Sequence, residues 1–125
     1  KGMPDAWKRD FAPIADGYLA MPLEVRLRFG RWDEVLAADE PAPAYPLARA
    51  LYHYASGVAL AAKGEIATAR KAQAAFVAAR ALVPREAFFG NNSAGAVLAV
   101  CTSATISADG VIVAISHAAI VDVIV

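Results

Sequence analysis

The chain has 125 residues, 58% of them hydrophobic, and its twelve basic and twelve acidic side chains cancel. This length fits a single domain that buries a real core. The sequence shows no basic patch, so nucleic acid is not an expected partner. No secretory signal is visible, and no apolar run reaches the roughly 18 residues of a membrane span, so no membrane role is expected. The one cysteine, Cys101, excludes an internal disulfide and leaves the compartment open between cytoplasm and periplasm.

Prolines divide the first third of the chain. Residues 1–20 are predicted as an N-terminal helical segment that is broken at Pro13. Residues 21–46 are predicted as a degenerate repeat, in which the chain restarts at Pro22. Three further prolines end its second helix by residue 40: Pro41, Pro43 and Pro46.

The degenerate repeat contains two predicted helices, residues 22–29 and 31–38. Gly30 lies between them and is expected to close the first helix as a left-handed cap. The side chains predicted to face inward are apolar and recur at helical spacing: Leu23, Leu27, Trp32, Val35 and Leu36.

Residues 47–84 are the clearest segment and predict a helical hairpin. Its helices cover residues 47–63 and 65–82, and Gly64 breaks the chain between them. Gly57 on the first helix and Ala69 on the second are small, so the two backbones are expected to approach closely. The apolar stripes follow three- and four-residue spacing, with Leu51, Tyr54, Ala55, Val58 and Ala62 on the first helix and Ile66, Ala69, Ala72, Phe76 and Ala79 on the second.

Residues 94–125 are predicted as a further degenerate repeat or as the end of a fragment. The helical interpretation gives residues 94–108 and 111–125 around a turn at Gly110, because a repeat array favours another helix pair. The β-branched run at residues 111–113 favours a strand instead. Helix is the prediction here, and strand is the alternative.

Gly30 and Gly64 lie 34 residues apart, each between two helical patterns, and this is the period of tetratricopeptide repeats. Together with residues 25–36, 50–59 and 90–94, the spacing resembles a family of bacterial tetratricopeptide-repeat (TPR) proteins. The resemblance implies an all-α, TPR-like α-solenoid of helix–turn–helix repeats, with the third repeat degenerate. It also implies a protein–protein role and no catalysis.

Few residues suggest chemistry. Tyr52, His53 and Tyr54 fan around a helix at about 100° per residue, so they do not all face one ligand. His53 and His117 are the only histidines, and neither has a second ligand at metal-binding spacing. No metal and no cofactor is therefore expected.

Two further residues have an ordinary interpretation. Residues 90–95 resemble a serine nucleophile elbow, but Asn91 replaces its first glycine and no strand is predicted before it. Asn92 or Ser93 is therefore predicted to cap the next helix, and Cys101 is predicted to be a small core residue. Four carboxylates around the short second helix are interpreted as a solvated face in preference to a partner-facing patch: Asp33, Glu34, Asp39 and Glu40.

The sequence favours a noncatalytic scaffold that binds a peptide or protein through an apolar groove of the clearest repeat, with Tyr54 as its anchor. One alternative is an accessory subunit that packs into a larger complex through its apolar C-terminal third. A weaker alternative is an enzyme or metal-binding domain that uses His53. The residues predicted to contact the partner form the groove and its polar rim: Leu51, Tyr54, Val58, Ala61, Ala62, Arg49 and Lys63.

Overall fold

The computed structural model of the chain describes residues 4–89, 92–103, 105–106 and 112–113. These residues are mostly helical, which confirms the all-α prediction at the level of fold class. The helices of this part are α1 (Asp5–Asp10), α2 (Ala12–Arg28), α3 (Trp32–Leu36), α4 (Pro46–Ala62), α5 (Ile66–Arg80) and α6 (Ala94–Ser103). Pairs of two-residue antiparallel strands accompany them, β1 (Phe88–Phe89) with β2 (Asn92–Ser93) and β3 (Thr105–Ile106) with β4 (Ile112–Val113).

Helix α2 runs unbroken through the position where the sequence predicted a restart. Pro13 lies in its first turn, where a missing N–H removes no helical hydrogen bond, and Pro22 lies inside the helix. Pro22 leaves the Tyr18 carbonyl without its usual donor. Both residues are exposed, so water can replace that donor. The predicted break at Pro13 and restart at Pro22 are therefore wrong, and the chain breaks at Phe11 instead.

Gly30 and Gly64 terminate α2 and α4 in the same way. Their φ angles are 66° and 81°, in the left-handed region. The residue after each glycine donates its N–H to a carbonyl five residues earlier, at 2.9 Å in both turns. This Schellman pattern requires a conformation that glycine adopts without steric strain. The predicted cap at Gly30 and break at Gly64 are confirmed.

Helices α4 and α5 form the predicted hairpin, and their backbones approach closely at Gly57. A side-chain carbon placed on Gly57 would lie 3.6 Å from the Ala69 carbonyl oxygen and 3.6 Å from the Ala72 Cβ. Ala69 is completely buried. The small residues at these positions therefore allow the close packing that the sequence predicted.

Helix α4 lies at the centre of the core and packs against α2, α3, α5 and α6. Ten of its seventeen residues are buried. From α2 and α3 the core receives Leu23, Leu27 and Val35, while Trp32 and Leu36 are half-buried against it. The inward face predicted for the first helix pair is confirmed.

The segment after α6 departs from the predicted helix pair. Helix α6 ends at Ser103, and the predicted helix over residues 94–108 is wrong beyond it, since Thr105–Ile106 pair with Ile112–Val113. The strand alternative therefore holds at residues 112–113, whose β-branched side chains favour extended backbone. The predicted turn at Gly110 and residues 114–125 lie outside the described residues.

Candidate functional site

The core of the predicted groove is not open to a partner. Leu51 has no exposed surface, Tyr54 is 8% exposed and Ala61 is 6% exposed. The reason is that α4 is surrounded by other helices, so its apolar stripe fills the interior instead of lining a surface. For these three residues the prediction of a partner-facing position is wrong.

Tyr54 packs within the chain. Its ring centroid lies 5.9 Å from that of Phe76 on α5, and the two rings are tilted by 56°. Burial is the main cause that raises the pKa of the Tyr54 phenol above its ordinary value. A buried aromatic pair of this kind stabilises the α4–α5 contact beyond the effect of apolar area alone.

The remaining predicted contact residues lie at the edge of the hairpin. Val58 is half-buried and Ala62 is exposed. Arg49 forms an ion pair with Glu40, and Lys63 forms one with Asp33. The two cations expected to form a polar rim therefore already have acidic partners in the same chain.

The acidic cluster around α3 takes part in these ion pairs. Glu34 pairs with Arg31 and lies 3.7 Å from the Arg26 guanidinium. Glu40 also lies 3.6 Å from His53 Nε2. Since these side chains are partly exposed to solvent, the pairs contribute little stability. They connect α3 and the loop after it to α2 and α4.

A different groove is open between α2, α3 and α4. We call it the α2–α4 groove, and its cavity measures about 510 Å³. That volume lies within the usual range of roughly 300–1,000 Å³ for binding pockets. Apolar and polar side chains line it together: Leu19, Leu23, Ala48, Arg26, Asp39 and Tyr52.

Helix α2 also carries two carboxyl groups that the sequence did not single out, of which Asp16 is buried and Glu24 is half-buried. Asp16 is 5% exposed, and its two carboxylate oxygens accept the N–H groups of Leu47 at 2.9 Å and Ala48 at 2.7 Å. Burial raises the pKa of Asp16, while the two backbone hydrogen bonds act in the opposite direction.

Asp16 supplies the cap that α4 lacks in its own sequence. Tyr45 at the N-cap position of α4 makes no side-chain cap hydrogen bond, and Pro46 at the first helical position has no N–H. The next two N–H groups point at Asp16. A helix that begins with proline and has no Ser, Thr, Asp or Asn before it was the sequence signal for a cap from elsewhere.

The second carboxyl group belongs to Glu24, which is half-buried as a residue. Its Oε1 atom has no accessible surface and no hydrogen-bond partner. Burial alone raises the pKa of Glu24 to about 7. No sequence signal predicted the burial of this oxygen.

The other candidates take structural roles. Ser93 Oγ accepts the N–H of Ala96 at 3.3 Å, which confirms the predicted cap of α6. Cys101 is 1% exposed, as predicted, and burial raises the pKa of its thiol. His117 lies outside the described residues. Within the described part of the chain, no three His, Cys, Asp or Glu side chains lie close enough together to hold a metal ion, and this includes His53.

Two further results concern membrane-spanning helices and similarity to known proteins. Among the described helices, none has both the length and the apolar character required to cross a bilayer. No protein-family model, no curated protein and no solved structure matches this chain.

Proposed function

We propose that the chain is a TPR-like α-solenoid that acts as a noncatalytic scaffold for a peptide or protein partner. The observation that supports this proposal is the open α2–α4 groove, whose lining combines apolar side chains with charged ones. Such a combination is typical of sites that take up a side chain or a short segment of another chain.

This binding surface lies on a different face of α4 from the one that the sequence predicted. Tyr54 faces the core, whereas its neighbour Tyr52 is half-buried and lines the α2–α4 groove. A partly exposed tyrosine offers contact area at low entropic cost. Tyr52 is therefore the anchor we propose, and Asp39 is the charged group that favours a basic residue in the partner.

The test begins with selection of a binding peptide from a random library, followed by titration against variants. We expect Tyr52→Ala to weaken binding of the selected peptide by about 1–3 kcal/mol. We also expect Asp39→Lys to weaken it, with a dependence on salt concentration. The matched control is Val77→Ala, because Val77 is exposed on α5 and away from the groove.

The two outcomes of this titration are distinct. If both groove variants keep full affinity per folded molecule, the groove is not the binding surface and the proposal fails. Thermal unfolding of each variant, measured in parallel, separates a loss of binding from a loss of folded protein.

A second function, accessory subunit of a larger complex, is favoured by an exposed apolar stripe on α2. The C-terminal third, to which the sequence analysis assigned that role, lies largely outside the described residues. Light scattering during size exclusion tests this alternative, since an obligate subunit self-associates when its apolar surface lacks a partner. The stripe consists of Ile14, Tyr18, Val25 and Phe29, all more than half exposed.

A further inference from the structure

The exposed apolar stripe of α2, defined above, extends along the whole helix. Its four residues are each more than half exposed and are separated by four or seven positions, so at about 100° per residue they share one side of the helix. Phe11 comes just before α2 and continues the stripe toward α1. The α2–α4 groove lies on another side, where Leu19 and Leu23 line it. An exposed apolar surface of this extent is typical of a site of interaction.

A cavity at the middle of the stripe is suited to a side chain of a facing helix. It measures about 300 Å³, and its lining includes Ile14, Gly17, Tyr18 and Met21 of α2. Counted from the first, the other three follow at three, four and seven positions, which is how four residues surround a hole in knobs-into-holes packing. Gly17 has no side chain to fill this hole. The stripe is therefore suited to a helix as its partner.

The stripe has opposite charges at its two ends. Asp10 comes shortly before α2 and Arg28 is its last residue, and both are exposed, without an ion pair among the described residues. The helical path continues through the break between α1 and α2, since the Phe11 N–H binds the Trp7 carbonyl and the Ala15 N–H binds that of Phe11. Eighteen positions make five helical turns, so the two charges lie on about the same side. Such a surface is complementary to a copy of itself turned end for end.

We propose that the exposed stripe of α2 binds a second copy of this chain, with the two α2 helices antiparallel about a two-fold axis. In this register Ile14 lies opposite Val25 of the second copy, and Met21 of the second copy enters the hole described above. Asp10 of each copy meets Arg28 of the other, at both ends of the helix pair. Because the contact is isologous, each favourable contact occurs twice.

The dimer is expected to be weak and reversible. A single pair of helices of this length buries less than the roughly 1,200–2,000 Å² of a stable complex. We therefore expect a dissociation constant of about 100 µM. At low micromolar concentration the monomer predominates, and Tyr18 and Phe29 remain open to solvent. Since the stripe and the α2–α4 groove lie on different sides of α2, the dimer does not depend on the function proposed for the groove.

Sedimentation velocity of the full chain, over about 5 to 500 µM, measures the dissociation constant, and reversal of the end charges tests the register. Asp10→Arg brings like charges together at both ends and should weaken the dimer about tenfold. Arg28→Glu should weaken it for the same reason. The matched control is Arg70→Glu, which makes the same change of charge on the exposed side of α5 and should keep the dissociation constant of the unaltered chain.

Two combinations of these variants should restore the dimer. An equimolar mixture of Asp10→Arg chains and Arg28→Glu chains forms a mixed dimer, in which each end again pairs an acid with a base. The chain that carries both substitutions exchanges the acid and the base, so it should recover the dissociation constant of the unaltered chain. Both recoveries require that position 10 of one copy meets position 28 of the other.

The unaltered chain tests the contact even if a charge variant does not fold. Hydroxyl-radical oxidation of Tyr18 should be slower at about 500 µM than at about 5 µM, because the second copy covers the stripe. Val77, which is exposed on α5, should be oxidised at the same rate at both concentrations.

Three results would overturn the proposal. The first is a chain that stays monomeric up to about 500 µM with no slowing of Tyr18 oxidation. The second is self-association that continues beyond a dimer or is unchanged by charge reversal, which would mean that the stripe binds a different partner, as in the accessory-subunit alternative. The third is failure of the mixture and of the doubly substituted chain to recover, with thermal unfolding showing that every variant is folded.

Discussion

Helices α2 and α4 have the same length, seventeen residues, and use their side chains in opposite ways. Helix α4 buries its apolar stripe and exposes few large hydrophobic groups. Helix α2 buries the Asp16 carboxylate and one carboxylate oxygen of Glu24, and it exposes apolar side chains such as Tyr18, 60% exposed, and Phe29 at its C-cap, 72% exposed.

The difference shows how burial depends on position within the assembly of helices. Because α4 has helices around most of its circumference, only apolar or small residues fit most of its faces. Helix α2 lies at the side of the core, so one of its faces contacts α4 while another faces water. On the inner face a carboxyl group is tolerated at Asp16, where it satisfies the start of α4.

Replacement of one tyrosine by alanine in each helix tests the difference in burial between α2 and α4. It has the largest expected effect on the free energy of unfolding. Tyr54→Ala empties a space in the core beside Phe76 and should lower the free energy of unfolding by about 3–5 kcal/mol. Tyr18→Ala removes an exposed ring of α2 and should change it by less than about 0.5 kcal/mol. Urea unfolding measures both, and equal losses would show that the two helices are not buried differently.

Asp16→Ala tests whether the carboxylate of α2 stabilises α4. The change leaves the N–H groups of Leu47 and Ala48 buried without acceptors, and we expect a loss of about 3 kcal/mol in the free energy of unfolding. Asp10→Ala is the matched control, because Asp10 is exposed at the end of α1. Stability equal to that of the unaltered chain would show that Asp16 does not cap α4.

Ala69→Leu tests the close contact between α5 and α4 at Gly57. A larger side chain at this position enters the contact with Gly57 and should cost about 1–3 kcal/mol by overpacking. The matched variant, Ala67→Leu, adds the same atoms on the exposed side of α5 and should leave the melting temperature almost unchanged. If the two variants melt together, the register of the hairpin is different from the one described.

Substitutions in the two glycine turns compare the ends of α2 and α4. They have the smallest expected effect on stability. Gly30→Ala and Gly64→Ala each place a side chain in a left-handed conformation, at a cost of about 1 kcal/mol. A Cβ at Gly30 would also approach Trp32 Cζ2 to 3.4 Å, whereas one at Gly64 meets no atom within 4 Å. Thermal unfolding should therefore show Gly30→Ala to be at least as destabilised as Gly64→Ala, and the reverse order would contradict this geometry.

The sequence predicted α4, α5 and the glycine turns because their signals are local. Spacing of apolar residues every three or four positions identifies a helix that buries one stripe, and Gly64 identifies its end. The same signal fails for α2, since Ile14, Tyr18, Val25 and Phe29 mark a face that is exposed. Pro22 then suggested a boundary where none exists.

The candidate site was harder to predict than the fold, for a physical reason. Periodicity shows that Leu51 and Tyr54 share a face with the apolar stripe of α4, but it does not show which neighbours cover that face. Tyr52, two positions before Tyr54 on the same helix, lines the α2–α4 groove because α2 and α3 leave space beside it. Contacts between helices, such as those of Asp16 with Leu47 and Ala48, join residues about thirty positions apart in the chain.

The opposite burial of α2 and α4 is tested most directly by hydroxyl-radical footprinting, with oxidation of each residue measured by mass spectrometry under native conditions. We expect rapid oxidation of Tyr18 on α2 and of Phe29 at its C-cap, and strong protection of Tyr54 on α4. Unfolding in denaturant should bring the two tyrosines to similar rates. Protection of Tyr18 together with rapid oxidation of Tyr54 in the folded chain would contradict the burial described for the two helices.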